Sequence, residues 1–406
     1  MKKIISFILI IPIIFSFSFS ALAGSLSEQE ICAVASGIAE YKRNGKETMF
    51  SGSFLESAGS TAGDWYPLGL SLFGFNEDYK AFLSALRDNV RERYESDEKL
   101  SSDKATEWHR IIISSLACGA DPENFCVTKS GDTINLLADG VYYRKNIARQ
   151  GINGYIWGLI ALNTRNYAEP KDAVNTKDSI LSELLSRQLE NGGWSMTKAA
   201  DTDITAMALI ALSPFYGKND EVTAAADKAL SLLSDIQLEN GGYAQSGIEN
   251  SESCAEVITA LCSLGIDPEN DKRFIKNGLS PVDALLSYRL NNGSFTHSFV
   301  YDKENPSAVC GEANDMSCQQ ALIALGALYK MKTGGDTVFD FSAASVNSDG
   351  FDSVPKEPGA AQKALETLNV FFSDADKRKV FVSAALLIVI AVLVLSFIKR
   401  RKKKKQ

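Results

Sequence analysis

The sequence predicts an all-α protein, an (α/α)6 toroid of six helical hairpins followed by a single C-terminal transmembrane helix. Three observations lead there. Short apolar helices recur along the chain, amphipathic helices alternate with them, and an uncharged apolar run of 19 residues lies near the C-terminus.

The apolar helices share a pattern: a polar or Gly-rich break, then an apolar run rich in small residues. Asn153-Gly-Tyr-Ile-Trp-Gly-Leu-Ile-Ala-Leu162, Asp203-Ile-Thr-Ala-Met-Ala-Leu-Ile-Ala-Leu212 and Glu252-Ser-Cys-Ala-Glu-Val-Ile-Thr-Ala-Leu261 are the clearest copies, and Ala321-Leu-Ile-Ala-Leu325 is a fourth. Their closing leucines are spaced by 50, 49 and 64 residues, the last interval carrying an insertion near 296–312. Trp65 to Gly74 and Trp108 to Gly119 are two weaker copies upstream. Fixed-period self-similarity of this kind marks a repeat architecture.

Amphipathic segments alternate with these copies at 27–42, 77–95, 177–189, 220–237 and 281–289, with a poorer one near 133–139. A helix apolar all round must be buried, whereas one with a charged face suits an outer layer. Six of each therefore predict an inner ring wrapped by an outer one, with Ala and Gly letting the inner backbones crowd the axis. An open α-solenoid of helical hairpins would satisfy the same pattern. Beyond residue 335 the helical period fails, and Gly334-Gly335, the Asp/Ser/Gly-rich stretch 343–353 and Pro355/Pro358 read as a linker.

The ends set an expected topology. Lys2 and Lys3, the apolar run Ile4 to Phe19 and Ala21-Leu22-Ala23 have the order of a signal peptide over residues 1–23. Val380 to Ile398 carries no charge, and its length matches a ~30 Å hydrocarbon core at about 1.5 Å per residue. Seven consecutive cations, Lys399 to Lys405, follow it. Positive charge on that side predicts a cytoplasmic tail at 399–406 and an external domain at 24–335, joined by a stalk at 336–379. The expected location is the cell membrane, single-pass, with the N-terminal domain outside and lipid contacted through one helix.

The chain carries −8 in all; the signal contributes +2 and the tail +7, which leaves −17 for residues 24–379. So acidic a domain is a poor match for nucleic acid, whose phosphates need basic patches. Seven cysteines (32, 118, 126, 254, 262, 310 and 318) make disulfides an open expectation in an oxidising compartment, with at least one thiol left over. No CxxC is present, so a zinc finger has no support.

The repeat junctions carry a resemblance. Gln188-Leu-Glu-Asn-Gly-Gly193-Trp194 and Gln237-Leu-Glu-Asn-Gly-Gly242-Tyr243 resemble the QW-type repeats of the squalene cyclase and protein prenyltransferase superfamily, here as a bacterial surface-anchored member. Arg289-Leu-Asn-Asn-Gly-Ser-Phe295 is a degenerate third copy. The resemblance covers roughly residues 30–335 and implies the terpenoid cyclase-like toroid. Gly ends the outer helix, and the aromatic packs across the turn between hairpins. Gln188, Gly193, Trp194, Gln237, Gly242, Tyr243 and Phe295 are thus expected to be structural.

The superfamily's branches imply different functions. The cyclases protonate a polyprene with the middle Asp of an Asp-x-Asp-Asp-Thr-Ala motif. The matching segment is Asp201-Thr-Asp203-Ile204-Thr205-Ala206, which keeps that acid as Asp203 and has Ile in the fourth position. The prenyltransferases hold zinc on an Asp-x-Cys pair and a His one repeat later. Glu252-Ser-Cys254 only approximates the pair, and the next inner helix offers Asp315 and Cys318 without a His, so no metal is expected. Cys310-Gly-Glu matches three positions of a thioester motif, but Ala313 replaces the glutamine that would supply the acyl group.

The toroid is also similar to that of the cobalamin carriers, intrinsic factor and transcobalamin, which hold a ligand among polar groups at the starts of inner helices. Asn153, Asp203 and Glu252 occupy equivalent repeat positions and are expected to ring one mouth, with Asp201 and Asp315 beside them. Acidic residues at helix starts also cap orphan N–H groups, and Ser253-Cys-Ala-Glu256 reads as a capping box. Tyr155, Trp157, Trp194 and Tyr243 are read first as packing residues, with lining of a ligand cleft as the alternative.

The leading functional expectation is extracellular capture of a small-molecule or peptide ligand, a corrinoid-like molecule among them, for delivery to a transporter or capping partner. No cofactor is otherwise expected. A terpenoid-cyclase-like lyase or isomerase using Asp203 as acid is the alternative, and a purely adhesive surface module is a third.

Overall fold

The computed structural model describes residues 25–344 apart from residue 98. The expected signal peptide, most of the expected stalk, the apolar run at 380–398 and the basic tail lie outside the described residues. Within them no helix is long and apolar enough to cross a membrane. The described chain is all-α, with two short hairpins as its only paired strands besides isolated bridges.

Six helices form the inner layer: α2 (Trp65–Ser71), α4 (Thr106–Ala117), α5 (Ile152–Asn163), α7 (Thr202–Leu212), α9 (Ser251–Ser263) and α11 (Asp315–Thr333). Each packs on the next, and α11 returns to α2, so the row closes into a ring. Small residues permit that closure. A Cβ on Gly69 would stand 2.7 Å from Leu322 of α11, and one on Gly326 would stand 2.4 Å from Leu72 just past α2. α5 and α7 are apolar all round and lie buried among neighbours, as such helices must.

The outer layer is α1 (Glu28–Arg43), α3 (Tyr79–Tyr94), α6 (Lys177–Ser186), α8 (Asp220–Ile236) and α10 (Pro281–Ser287). α1 packs on α11, α6 on α5, α8 on α7 and α10 on α9. The poor amphipathic segment near 133–139 is not an α-helix. A small hairpin, β1 (Cys126–Val127) with β2 (Thr133–Ile134), leads there into a π-helical turn at Ala138–Tyr142 that packs on α4. Gly140 makes that packing close, since a Cβ on it would lie 2.3 Å from Trp108.

The Gln…Gly-Gly-aromatic corners join the two layers. Gln188 Nε2 donates to Gly192 O of its own turn and to Ala225 O of α8, both at 2.7 Å. Gln237 repeats the arrangement with Gly241 O and Phe274 O, both at 2.8 Å. Trp194, Tyr243 and Phe295 are fully buried behind these corners, and Trp194 Nε1 donates to Leu184 O at 2.8 Å. Gly193 and Gly242 sit tightly beside them, against Leu232 and Ala284 of the next outer helix. Gly192 has φ 93°, and a Cβ there would lie 2.8 Å from Lys228 O. In the degenerate third copy Gly293 presses on Gly37 of α1, so this corner closes the outer layer.

Two expectations change. All seven cysteines are free thiols, five of them buried, and Cys254 and Cys318 lie on neighbouring inner helices. The segment after residue 335 does not lift away at once. Val338 and Phe339 are buried, and Phe341 N donates to Thr164 O at 2.8 Å, so the chain straps itself across the C-terminal ends of α5 and its neighbours.

Candidate acid site in the axial cavity

Asp203 enters the ring through a well-capped helix start. Asp201 is the N-cap of α7 and accepts from Ile204 N at 2.9 Å. A hairpin of β3 (Ala244–Gln245) and β4 (Ile248–Glu249) lies over it, and Gln245 Nε2 donates to the other Asp201 oxygen. Asp201 is thereby committed to structure. Asp203, two residues on, is left to face the axis.

There it lines a cavity of about 140 Å³. The walls are Trp65 from α2, Trp157 from α5, Met207 from α7, Ile323 from α11 and Phe339 from the strap. Trp157 is the hub of the aromatic wall, with Trp65 at 5.1 Å between ring centroids and Phe339 edge-on at 6.1 Å. The polar lining consists of Asp203, Glu256, Thr259 and Gln320. Asp203 Oδ1 and Gln320 Oε1 are enclosed and have no hydrogen-bond partner.

Burial shifts both carboxyls toward their neutral form. Burial pushes Asp203 up to about 7; the Ser253 hydroxyl opposes the shift, the charges of Asp201 and Glu252 add to it, and His297 opposes it. Burial and then the Asp203 charge push Glu256 up to about 8. Desolvation disfavours a carboxylate, and a second acid nearby disfavours it further. A carboxylic acid kept protonated near neutral pH can donate a proton.

The other expected site residues are dispersed. Asn153 starts α5 with its Oδ1 enclosed and unpartnered, but it is not in the cavity wall. Asp315 is exposed at the start of α11 and forms an ion pair with Lys42 at 2.6 Å. Glu252 is drawn into a separate buried cluster. Its Oε2 lies 2.8 Å from His297 Nδ1, its Oε1 accepts from Ser317 Oγ at 2.7 Å, and His297 Nε2 lies 3.1 Å from Asp302 Oδ2. The bond to Glu252 first, and then that to Asp302, hold the imidazole above its ordinary pKa.

The Ser253-Cys-Ala-Glu256 spacing predicts a capping box, but Glu256 is not part of one. The N-cap of α9 is Asn250, which accepts from Ser253 N at 2.8 Å, so Glu256 falls in the second turn and faces the axis. A signal was there to be read, because a carboxylate past the first turn of an otherwise apolar inner helix has no orphan N–H to cap. Trp157 is likewise a cavity wall as well as a packing residue. Trp65, Phe339 and His297 had no signal beyond residue type. Among the described residues no group of three His, Cys, Asp or Glu side chains is placed to hold a metal ion.

Comparison with protein-family models finds no match, and comparison with curated proteins finds none either. Solved structures do register. A variant of the type II terpene cyclase MstE from Scytonema, in complex with its substrate geranylgeranyl dihydroxybenzoate, is 13% identical at TM-score 0.45, over 75% of this chain and 99% of that one. A second variant of the same cyclase, without ligand, is 12% identical at TM-score 0.43, over 75% and 98%. A protein from Actinoplanes is 12% identical at TM-score 0.41, over 74% and 99%. At these values none of them assigns a role to a residue of this chain.

Proposed function

We propose that the chain is a toroid, six inner helices wrapped by an outer layer, that catalyses proton-initiated rearrangement, cyclisation or double-bond isomerisation, of an apolar isoprenoid-like substrate. The observation that carries the reading is the Asp203 carboxyl, buried, raised to about 7 and lining an aromatic-walled cavity with its Oδ1 unpartnered. Asp203 would give its proton to a carbon–carbon double bond, leaving a carbocation and an aspartate. The faces of Trp65 and Trp157 favour a cation held over them. Loss of a proton from a neighbouring carbon back to the Asp203 carboxylate would restore the acid, so the proton count balances. Glu256, still neutral, is placed to stabilise the aspartate formed in between.

Deuterium tests this directly. Full-length protein in lipid nanodiscs is incubated in heavy water with linear isoprenoid alcohols of two to four units, and products are weighed by mass spectrometry. The wild type should insert one deuterium per turnover and Asp203→Asn none. Equal labelling by the two proteins would sink the reading.

A second reading, ligand capture, is favoured by one observation, the unpartnered Gln320 Oε1 in the same cavity. It predicts binding without labelling. Either way, the signal-peptide-like order of residues 1–23 and the apolar run at 380–398 support a domain displayed outside the membrane, and protease added to intact cells should then remove it.

A further inference from the structure

A second cavity lies farther along the ring. It measures about 320 Å³, more than twice the axial one, and Ile160, Asn163, Ile210, Ser213 and Ser263 line it at the C-terminal ends of α5, α7 and α9. The two cavities follow the same helix faces. On α5 the wall runs Trp157, Ile160, Asn163; on α7 it runs Asp203, Met207, Ile210; on α9 it runs Glu256, Thr259, Ser263. Steps of three and four residues stay on one side of a helix, so the stripes are continuous. At 1.5 Å per residue, ten residues from Asp203 to Ser213 span roughly 15 Å.

One side chain belongs to the walls of both cavities from outside the helices: Phe339. It is carried by the strap, whose backbone is fixed before it by Gly335 N donating to Lys330 O at 2.8 Å and after it by Phe341 N donating to Thr164 O at 2.8 Å. The ring is thus held edge-on to Trp157 by anchors that do not involve the ring itself.

We propose that Phe339 is the length stop of the axial site: it ends the space open to a linear apolar chain lying along the ring axis and bars it from the second cavity. The ligand class this implies is a linear isoprenoid or comparable lipid alcohol, short in the native protein and longer once the stop is removed. The inference rests on the axial cavity being the ligand site, and it does not require that Asp203 react.

Binding of geraniol, farnesol and geranylgeraniol to full-length protein in nanodiscs, by displacement of a fluorescent lipid alcohol, tests it. Phe339→Leu and Phe339→Ala should improve the affinity for geranylgeraniol relative to geraniol at least tenfold. Phe339→Trp should shift the ratio the other way. Opposite shifts from smaller and larger side chains cannot come from a loss of folding, and the melting transition of each variant is recorded alongside. An unchanged ratio in all three variants overturns the stop while leaving deuterium transfer by Asp203 standing. A shifted ratio without deuterium transfer overturns the chemistry and keeps the stop. Absence of binding by any alcohol overturns both.

Discussion

Glu252 Oε2 lies 2.8 Å from His297 Nδ1, and this pairing keeps Glu252 out of the axial cavity while Glu256, one turn on, faces it. His297 comes from the 296–312 insertion, so the longest repeat interval supplies the partner that neutralises a buried acid. The pairing has a pH signature. The His297 pKa is raised by folding, so its stabilisation is complete below about 6.5 and fades as pH rises through the folded value. Burial raises Asp302, but the hydrogen bonds from Glu304 N and His297 outweigh it and hold the carboxyl below its ordinary value, so its contribution fades only in acid. The melting difference between wild type and His297→Asn should therefore be larger at pH 5.5 than at pH 8.5, with a loss on the order of 1–3 kcal/mol at the lower pH. Melting curves at the two pH values decide it; a difference that grows with pH refutes the pairing.

The repeat corners make a second prediction by contrast. Gly192 and Gly217 both have left-handed backbones, at φ 93° and 70°. A Cβ on Gly217 meets nothing within 4 Å, whereas one on Gly192 lies 2.8 Å from Lys228 O of the neighbouring helix. Gly217→Ala should cost only the left-handed penalty, about 1–2 kcal/mol. Gly192→Ala should cost at least about 1 kcal/mol more, because backbone must move. Equal losses in chemical denaturation would show that the corner does not press on α8.

Much of this was legible in the sequence. Helices apolar all round, such as 203–212, can satisfy themselves only inside a layer, and the amphipathic 220–237 can only cover one. The corner motif marked its own role, since Gln237 and Tyr243 are both buried where the repeat spacing put them. The cavity was only partly legible. Asp203 was visible as an acid at a helix start, but which acids face the axis depends on rotation about each helix and on partners from distant segments. Glu252 and Glu256 share one helical face, and only the arrival of His297 separates them. Phe339 was hidden for a related reason: it follows two glycines in a stretch without period, and its burial comes entirely from the ring it straps.

The aromatic wall makes a third prediction. Trp157→Leu keeps an apolar side chain beside Asp203 but removes the ring face nearest Trp65 and Phe339. If the wall stabilises a cation, turnover should fall roughly two- to thirtyfold while the affinity for an unreactive saturated alcohol changes little; a cation over an aromatic face is worth about 0.5–2 kcal/mol. Equal losses in turnover and in affinity would make Trp157 a shape residue only.

The last prediction separates the chemistry of Asp203 from its cost to the fold. Its carboxyl is raised from an ordinary 3.8 to about 7, chiefly by burial. Such a group binds its proton more tightly in the folded chain, so its contribution is fully present below about 4 and is lost as pH rises through about 7. Above that value the folded protein holds a buried aspartate that the unfolded chain would solvate freely. Asp203→Asn removes that charge and nearly preserves the shape. It should therefore melt higher than wild type at pH 8.5, by the equivalent of about 2 kcal/mol or more, and no higher at pH 4. Turnover moves the other way: wild-type activity should fall as pH rises past about 7, following loss of the Asp203 proton, and Asp203→Asn should be inactive throughout. Asp201→Asn is the control, because its carboxylate caps α7 and accepts from Gln245; it should retain the pH profile. A variant at Asp203 that loses activity without gaining stability at high pH would mean that the carboxyl is not buried as an acid, and the proton-donor reading would fall with it.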